Sequence, residues 1–491
     1  MSAGPEDPMS EVACGGILPY LAACENDPAI WDTVSGWLTR AEVREKAGSL
    51  ATRLAAPRKR LVFLLAANNV SAVIGLLGAT QAGHAVALID PSTGSEKLTQ
   101  LIAAYRPDFI LTTTPFETGM LDGFQQKFEG DRSFPAIAIS SDEAQRENIA
   151  SDLALLLSTS GTTGSAKFVR LAETAVRTNA HQIADALDIT ADSVGIAHLP
   201  LHYSYGLSVL TSHLVVGGRV VLMEDSMTSP SFWETIAATG GTHFPGVPFH
   251  YTVLARLGFD LVPDTVTTFT QAGGALDPRI LNRMLPGFSQ RSARFYVMYG
   301  QTEASPRMTT LPFQRLEEKA GSVGIALSGA KLTIVGDDDQ SVACGQSGNV
   351  VYEGRNVMMG YAQSRADLSL GDDMDGRLET GDIGHLDSDG YLYLTGRTKR
   401  FAKIAGLRLS LDEIEAEIVD LGIVACLDVG DKVLILHEGD IADALRKRAR
   451  SLASGYKIPP SSFAYRQVDA MPRKTSGKID YARVKEMATD V

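Results

Sequence analysis

Apolar and polar positions along the chain form short blocks, and the clearest blocks lie between Leu61 and Ile89, where no residue is charged. A membrane span is one interpretation of so apolar a stretch. Turn residues divide it, however, into a strand at Leu61–Ala66, a helix at Val70–Ala82 and a strand at Ala85–Ile89. These pieces predict a β-α-β unit in which both strands are buried.

The same alternation of apolar strands and amphipathic helices continues to about residue 300. Thr39, with Glu42 three residues later, predicts a capping box that starts a helix through Leu54. Apolar residues from Val176 to Leu187 recur at helical spacing, and Leu207–Val216 reads as a buried helix. The predicted strands are Phe109–Thr112, Ala136–Ile139, Leu153–Leu157, Phe168–Leu171, Gly195–Leu199, Phe269–Gln271 and Arg294–Met298, whereas Phe244–Pro248 reads as a turn-rich stretch.

This order of elements predicts an α/β fold with mostly parallel sheets covered by helices. From Gly321 the pattern changes to short β segments at Lys331–Val335, Asn349–Tyr352 and Tyr391–Leu394, which predict a small barrel-like β unit over about 321–396. A capping box at Ser410 then begins a helix through about Asp420. We therefore expect a large N-terminal domain over 1–396 and a small α+β domain over 397–491.

The composition of the chain argues against some classes of function. The 491 residues carry a net charge of −13, which argues against nucleic acid as the main partner. Four cysteines lie far apart without a Cys-x-x-Cys pattern, as expected for thiols in a reducing compartment. The first residues lack the basic start and apolar core of a signal peptide. We expect a cytoplasmic protein without a membrane span.

The stretch Ser158–Lys167 consists almost entirely of Ser, Thr and Gly, ends in a lysine, and follows a predicted buried strand. Glycines let backbone N–H groups approach a ligand closely, hydroxyls add donors, and Lys167 adds positive charge, so this loop suits a polyphosphate. A flexible Ser/Gly linker is the alternative. The stretch is not a Walker A loop, because its two glycines are only three residues apart.

Two later stretches carry chemistry at strand ends. Gly273 and Gly274 directly follow the strand Phe269–Gln271, where open α/β sheets bind ligands. The sequence Tyr299-Gly300-Gln301-Thr302-Glu303 follows the next strand and supplies a ring, a hydroxyl and a carboxylate. A carboxylate oxygen is the kind of ligand that Mg²⁺ prefers.

The loop resembles the phosphate-binding signature of the adenylate-forming enzymes, a superfamily of acyl-CoA synthetases, carrier-protein adenylation domains and beetle luciferases. Tyr299–Glu303 resembles the family's Tyr-Gly-x-Thr-Glu, and Thr380-Gly381-Asp382 its Thr-Gly-Asp. Gly396–Lys399 and Pro472–Lys478 match two further motifs, and the resemblance spans about residues 30 to 485. It implies that the C-terminal domain rotates about a hinge at Lys399.

The resemblance also implies roles for individual residues. It makes Lys478, His202, Thr302 and Glu303 catalytic, with Glu303 as the Mg²⁺ ligand. His202 taken alone would more often be a structural histidine. The nucleotide and thiol sites would be formed by Thr159, Ser160, Gly161, Thr162, Thr163, Gly164, Lys167, Gly273, Gly274, Ala275, Tyr299, Gly300, Asp382, Arg397, Lys403 and Gly406.

The implied reaction uses ATP and Mg²⁺ to convert a small carboxylic acid to an acyl-adenylate, which CoA or a phosphopantetheine thiol then converts to a thioester. An acyl-CoA synthetase is the main hypothesis, and a ligase that loads an acyl carrier protein is the alternative. A nucleotide-binding pseudoenzyme is a remote third hypothesis. Enzymes of this kind for α-amino acids place an Asp where Gly206 stands, so we expect an acid without an ammonium group.

Overall fold

The computed structural model describes residues 25–112, 124–128, 135–140, 147–158, 167–336, 340–397, 401–404, 407–430, 432–456, 458–473 and 479–489. The strands within these ranges are β1 (Pro28–Asp32), β2 (Gly36–Thr39), β3 (Leu61–Leu65), β4 (Ala85–Ile89), β5 (Phe109–Thr112), β6 (Phe124–Phe128), β7 (Ala136–Ser140), β8 (Leu153–Ser158), β9 (Phe168–Ala172), β10 (Val194–Ala197), β11 (Arg219–Leu222), β12 (His243–Gly246), β13 (Thr268–Gln271), β14 (Arg294–Gly300), β15 (Arg307–Leu311), β16 (Ile325–Ala326), β17 (Lys331–Val335), β18 (Gly348–Glu353), β19 (Gly360–Ala362), β20 (Arg377–Leu386), β21 (Leu392–Arg397), β22 (Phe401–Ile404), β23 (Leu407–Ser410), β24 (Val424–Asp428), β25 (Val433–Glu438) and β26 (Phe463–Val468). The helices are α1 (Arg40–Leu54), α2 (Val70–Gln81), α3 (Ser95–Tyr105), α4 (Glu173–Ala186), α5 (Ser204–Leu214), α6 (Pro230–Thr239), α7 (Pro248–Leu257), α8 (Pro278–Gln290), α9 (Leu411–Ile418), α10 (Ala442–Tyr456) and α11 (Tyr481–Thr489).

The uncharged stretch forms the predicted β-α-β unit. Strands β3 and β4 are parallel neighbours, with Leu61 opposite Ala85 and Leu65 opposite Ile89. Helix α2 begins after Asn69, whose side chain accepts from the N–H of Ala72, and all but its last residue are buried. Burial on every side explains why the run lacks charge. Among the described residues no helix is long and apolar enough to cross a membrane.

Two large sheets organise the described chain. One has eight strands in the order β19-β9-β8-β4-β3-β5-β7-β6, and its central strands β8, β4, β3 and β5 are parallel. The other has nine strands in the order β16-β15-β14-β13-β12-β10-β11-β1-β2, and it is parallel from β14 to β1. The prediction of mostly parallel sheets is therefore confirmed, with antiparallel pairs at the edges.

The main hydrophobic core lies between these two sheets. It contains residues of α2, α4 and α5 together with Leu155 of the first sheet and Val220 of the second. The predicted capping box also forms at the start of α1, where Thr39 accepts from the N–H of Glu42 and its own N–H donates to the Glu42 carboxylate at 2.7 Å. The helices thus join two sheets whose strand ends can face a common site.

The β-rich segment forms an antiparallel sheet in the order β17-β18-β20-β21. Strand β21 continues to Arg397, beyond the predicted end at Leu394. After it, β22 and β23 form a hairpin, and β24, β25 and β26 form a sheet accompanied by α9, α10 and α11. These later elements pack around hydrophobic clusters of their own, such as that of Ile414 and Ile435. The domain boundary after residue 396 remains a prediction.

Some predicted boundaries differ from the structure around the second sheet. Strand β10 ends at Ala197 instead of Leu199, and α5 begins at Ser204 instead of Leu207. The turn-rich interpretation of Phe244–Pro248 was wrong, because His243–Gly246 is the buried strand β12. Pro245 is tolerated in this strand because the ladder to β10 consists of one residue pair, Gly195 with His243, so its missing N–H removes no ladder bond there.

Candidate functional site

The first feature of the site is a contact between two of the predicted nucleotide-binding residues. Tyr299 stands near the end of β14, and its hydroxyl donates a hydrogen bond to the carboxylate of Asp382 on β20. Both residues are buried, with 8% and 3% of their surface exposed. Arg397 lies opposite Asp382 in the ladder between β20 and β21. The structure therefore places Tyr299, Asp382 and the backbone of Arg397 side by side.

The predicted glycine turn lies at the neighbouring strand end. Gln271 closes β13, and its side-chain amide donates to the carbonyl of Gly274 at 2.7 Å. Gly273 has a positive φ of 84°, which glycine adopts without strain. Because Gln271 pairs with Val297 of β14, the turn lies beside Tyr299 at the same edge of the sheet.

The helical turn Thr302–Ala304 carries the predicted hydroxyl and carboxylate. The Thr302 hydroxyl is 3.1 Å from the hydroxyl of Ser204, the first residue of α5. The Glu303 carboxylate accepts from the hydroxyl of Tyr361 at 2.8 Å. Burial of Tyr361, together with the Glu303 charge beside it, raises the pKa of the Tyr361 hydroxyl. Lys167 lies over the Tyr361 ring, with Nζ 3.2 Å from the centroid. Tyr361 thereby connects two predicted site residues that are distant in sequence.

His202 lies on the connection between β10 and α5, within 3.6 Å of the Asp90 carboxylate that follows β4. Burial lowers the pKa of His202, and Asp90 only partly offsets this, so the ring is neutral near pH 7. A neutral ring at this junction of the two sheets can shape the site or donate one hydrogen bond, but it adds no charge.

A residue that the sequence did not single out fixes this connection. Asn68, after β3, donates from its amide to the carbonyls of Ala197 at 3.1 Å and Leu199 at 2.9 Å. Its side-chain oxygen accepts from the N–H of Leu201 at 2.9 Å. These bonds satisfy the buried backbone where β10 has ended, and they hold the chain that leads to His202.

Gly206 lies in α5 against the backbone, which changes one interpretation from the sequence. A Cβ atom on Gly206 would lie 2.2 Å from the carbonyl oxygen of Pro200 and 2.5 Å from that of Leu199. No side chain fits there, so the absence of an aspartate at this position has a steric reason. The expectation of an acid without an ammonium group therefore loses its support from Gly206.

Four largely buried histidines lie in and under the second sheet. Burial lowers the pKa of His198 to about 3 and the pKa values of His213 and His250 to about 4. Burial likewise holds the pKa of His243 well below its ordinary value. All four rings are therefore neutral in the folded protein at pH 7.

These histidines predict a loss of stability in mild acid. An unfolded histidine takes up a proton below its ordinary pKa of about 6.5, whereas the buried rings remain neutral to much lower pH. The free energy of unfolding should therefore fall as the pH drops from about 6.5 towards 4, by at most about 1.4 kcal/mol per pH unit for each ring. Denaturant unfolding at a series of pH values measures this slope.

His250→Asn offers an internal comparison, because asparagine can still accept from the N–H of Val247, which now donates to His250 Nδ1 at 3.2 Å. The free energy of unfolding of the variant should depend less steeply on pH than that of the wild type. The difference should correspond to about one proton fewer taken up on unfolding. An unchanged slope would mean that His250 is not buried as a neutral ring.

Several predicted site residues cannot be placed. Lys399, Gly406, Lys478 and the loop residues Thr159, Ser160, Gly161, Thr162, Thr163 and Gly164 lie outside the described residues. Lys403 and Arg397 are described only as backbone positions in β22 and β21. The structure brings together Lys167, His202, Gly273, Gly274, Tyr299, Gly300, Thr302, Glu303 and Asp382 through the contacts and strand ends given above, and Ala275 follows the same glycine turn. Their roles remain predictions.

Glu303 suits a magnesium ligand held jointly with phosphates. One of its carboxylate oxygens accepts from Tyr361, and the other has no hydrogen bond within the described part of the chain. Among the described residues no group of three or more His, Cys, Asp or Glu could hold a metal ion alone. This fits a Mg²⁺ ion that takes one protein carboxylate and otherwise binds phosphate and water oxygens.

Comparison with known proteins agrees with this fold. The solved o-succinylbenzoate CoA synthetase of Bacillus subtilis, in complex with its acyl-adenylate intermediate, superimposes with a TM-score of 0.79 at 23% identity, covering 96% of this chain and 98% of that one. The same enzyme in complex with ATP and magnesium ion gives a TM-score of 0.75, covering 94% and 97% of the two chains. The protein thus has the fold of the adenylate-forming enzymes.

Sequence comparison identifies the family. Residues 21–362 match the family model described as AMP-binding enzyme, and the chain belongs to that family. A probable CoA ligase of Humulus lupulus is 27% identical over 419 residues, covering 81% of this chain and 77% of that protein. The indoleacetate–CoA ligase of Aromatoleum aromaticum is 28% identical over 347 residues, covering 68% and 67%.

Proposed function

We propose that the protein is an AMP-forming acid–thiol ligase that activates a small carboxylic acid with ATP and Mg²⁺ and transfers the acyl group to CoA. Membership of the AMP-binding family supports the use of ATP, as does the solved relative in complex with ATP and magnesium ion. The names of the curated relatives favour CoA as the acceptor. Two sets of contacts carry the proposal. Tyr299 is hydrogen-bonded to Asp382. Lys167 and Glu303 both contact Tyr361.

In the first half-reaction a carboxylate oxygen of the acid attacks the α-phosphorus of ATP, and pyrophosphate leaves. The protein needs to position the reactants and stabilise negative charge, more than to move protons. Asp382 would accept from the ribose hydroxyls, the Tyr299 ring would contact adenine, and Thr302 would donate to the α-phosphate. Mg²⁺, held by Glu303 and the phosphates, would neutralise charge.

The loop Thr159–Gly164 with Lys167 would hold the outer phosphates, and Lys478 would approach both the α-phosphate and the carboxylate. His202 is neutral, so we assign it to shaping the carboxylate side of the site. In the second half-reaction the thiol of CoA attacks the acyl carbon and AMP leaves. We propose that the domain after residue 396 turns about Lys399 between the steps and brings Lys403 and Gly406 to the thiol.

A panel of carboxylic acids tests the proposal. Purified protein with ATP and Mg²⁺ should release pyrophosphate only when a suitable acid is present, and Glu303→Gln should reduce that rate strongly. Glu317→Gln is the matched control, because Glu317 is exposed on a turn. Absence of acid-dependent pyrophosphate release over the whole panel, with folded protein, would favour a nucleotide-binding pseudoenzyme.

The acceptor is tested separately by adding CoA or a phosphopantetheinylated carrier protein to the activated acid. We expect thioester formation with CoA. Thioester formation with the carrier protein alone would replace the acyl-CoA synthetase assignment by that of a carrier-protein ligase.

The contact between Tyr361 and Glu303 yields a prediction of its own. Tyr361→Phe removes the hydroxyl that orients the carboxylate, and the loss of such a partner of a metal ligand typically lowers metal affinity or activity by about 10- to 100-fold. We expect a higher Mg²⁺ requirement for pyrophosphate release. Tyr105→Phe is the control, since it removes a buried hydroxyl bonded to the carbonyl of Ala362 on the same strand. Equal Mg²⁺ requirements in the two variants would contradict the role of Tyr361.

A further inference from the structure

A small cavity, of about 20 Å³, lies between α5 and the strands β12, β13, β14 and β15. Tyr205, Ser208 and Ser212 line it from one face of α5, and His213, His243 and Arg307 complete the polar part of its wall. This volume holds about one water molecule, so the cavity can receive at most one small polar group.

Two residues of the cavity wall, Tyr205 and Thr270, are close in sequence to residues of the proposed site. Tyr205 follows Ser204, whose hydroxyl meets that of Thr302, and Thr270 of the wall stands just before the glycine turn. Ser208 lies one helical turn further along α5, which corresponds to a distance of about 6 Å. An acid whose carboxylate lies near Thr302 would therefore extend its other end towards Ser208.

Arg307 presents a charge to this cavity that no described carboxylate balances. Arg307 is 3% exposed, and its guanidinium carbon lies 3.9 Å from the centroid of the Tyr205 ring. One nitrogen, Nη2, is 3.3 Å from the Ser208 hydroxyl, and Nε has no hydrogen-bond partner. An arginine remains charged in proteins, and a buried charge without an opposite charge is strongly unfavourable.

Two further buried arginines of the described chain, Arg170 and Arg365, are paired with carboxylates, and Arg365 lies 2.9 Å from Asp108. Arg170, which is fully buried, donates to the Asp373 carboxylate at 2.6 Å and to four backbone carbonyls. Arg307 has the aromatic ring and one hydroxyl instead. Arg307 therefore has no opposite charge among the described residues, in contrast to Arg170 and Arg365.

The two histidines of the wall add polar atoms without charge. His213 Nδ1 lies 2.8 Å from the carbonyl of Val209, and His243 Nδ1 lies 2.8 Å from the Thr242 hydroxyl. Their Nε2 atoms have no partner among the described atoms. The cavity therefore contains a single fixed positive charge, which matches a singly charged group better than a phosphate dianion.

We propose that Arg307 is a specificity-determining residue that binds a second, singly charged anionic group of the acid, so that the substrates are short acids with a carboxylate at one end and a carboxylate or sulfonate at the other. This inference rests on the proposed function, because it assigns the first carboxylate to adenylation. Arg307 acts in binding and not in the chemical step.

Matched pairs of acids test the inference: glutarate against pentanoate, and adipate against hexanoate. We expect the wild type to favour one of the dicarboxylates in kcat/KM for pyrophosphate release by about 100-fold or more, since leaving a buried charge unpaired is strongly unfavourable. Arg307→Leu should reverse the preference, and Arg307→Lys should restore part of it. The ratio of the two acids on one preparation does not depend on the fraction of folded protein.

Arg294→Leu is the control, because Arg294 belongs to the same sheet but is paired with Asp188 at 3.0 Å. It should keep the wild-type ratio.

If Arg307→Leu does not fold, the wild type alone still tests the inference. A dicarboxylate with ATP should raise the Tm of the wild type, whereas its monocarboxylate partner should not. A wild-type preference for monocarboxylates, or a ratio unchanged in Arg307→Leu, would overturn the inference while the proposed function stands. Failure of every acid to release pyrophosphate would instead overturn the proposed function.

Discussion

Lys478→Ala should lose adenylation while it keeps the ability to form thioester. In the proposed mechanism this lysine stabilises charge while the carboxylate attacks phosphorus, and loss of one preorganised charged donor typically lowers kcat by about 10²–10³. Given synthetic acyl-adenylate and CoA, the variant should form thioester at nearly the wild-type rate, because the turned domain no longer presents Lys478 to the site. Lys447→Ala, which removes an exposed lysine of α10, should leave both rates unchanged.

The reverse pattern is expected for Lys399→Pro. Proline fixes φ near about −65° and should restrict the hinge, so thioester formation slows while adenylation remains. Both half-reactions need to be measured for both variants, with circular dichroism to establish folding. Equal loss of both half-reactions in Lys478→Ala would favour a mechanism in one conformation, and the hinge assignment would fall.

Gly206→Ala should abolish acid-dependent pyrophosphate release and lower the stability of the protein. The added Cβ would meet the carbonyl oxygens of Pro200 and Leu199, so α5 would have to move away from the connection that carries His202. Overpacking in a well-packed interior typically lowers the free energy of unfolding by about 1–3 kcal/mol. Here the atoms that the added Cβ would meet belong to the backbone. Thermal unfolding and pyrophosphate release measure the two effects.

Gly371→Ala is the control for Gly206→Ala, because a Cβ at Gly371 meets no atom within 4 Å. It should retain both stability and activity. Normal activity in Gly206→Ala would show that α5 can shift without disturbing the site, and the placement of His202 and Ser204 would then need another explanation.

The sequence predicted those parts of the fold that local patterns determine. The strands of the β-α-β unit and the capping box at Thr39 follow from periodicity and from residues within a few positions. Strand β12 was missed because Pro245 normally argues against a central strand. Only the pairing of its neighbours explains why it is tolerated.

The residues that the sequence did not reveal act across long separations. Tyr361 follows Glu303 by 58 positions, and Asn68 precedes Leu201 by 133. No local pattern relates such pairs, because the two large sheets bring them together. Arg307 lies only four residues after Glu303, but its significance depends on its burial and on the absence of an opposite charge among the described residues, which a sequence alone does not display.

The most direct measurement of the central claim follows an oxygen atom. An acid from the panel that supports pyrophosphate release is labelled with heavy oxygen in its carboxylate and is incubated with protein, ATP, Mg²⁺ and CoA. If the carboxylate attacks the α-phosphorus, mass spectrometry will find one heavy oxygen in the AMP and none in the pyrophosphate. Formation of ADP, or unlabelled AMP beside the thioester, would contradict activation through an acyl-adenylate.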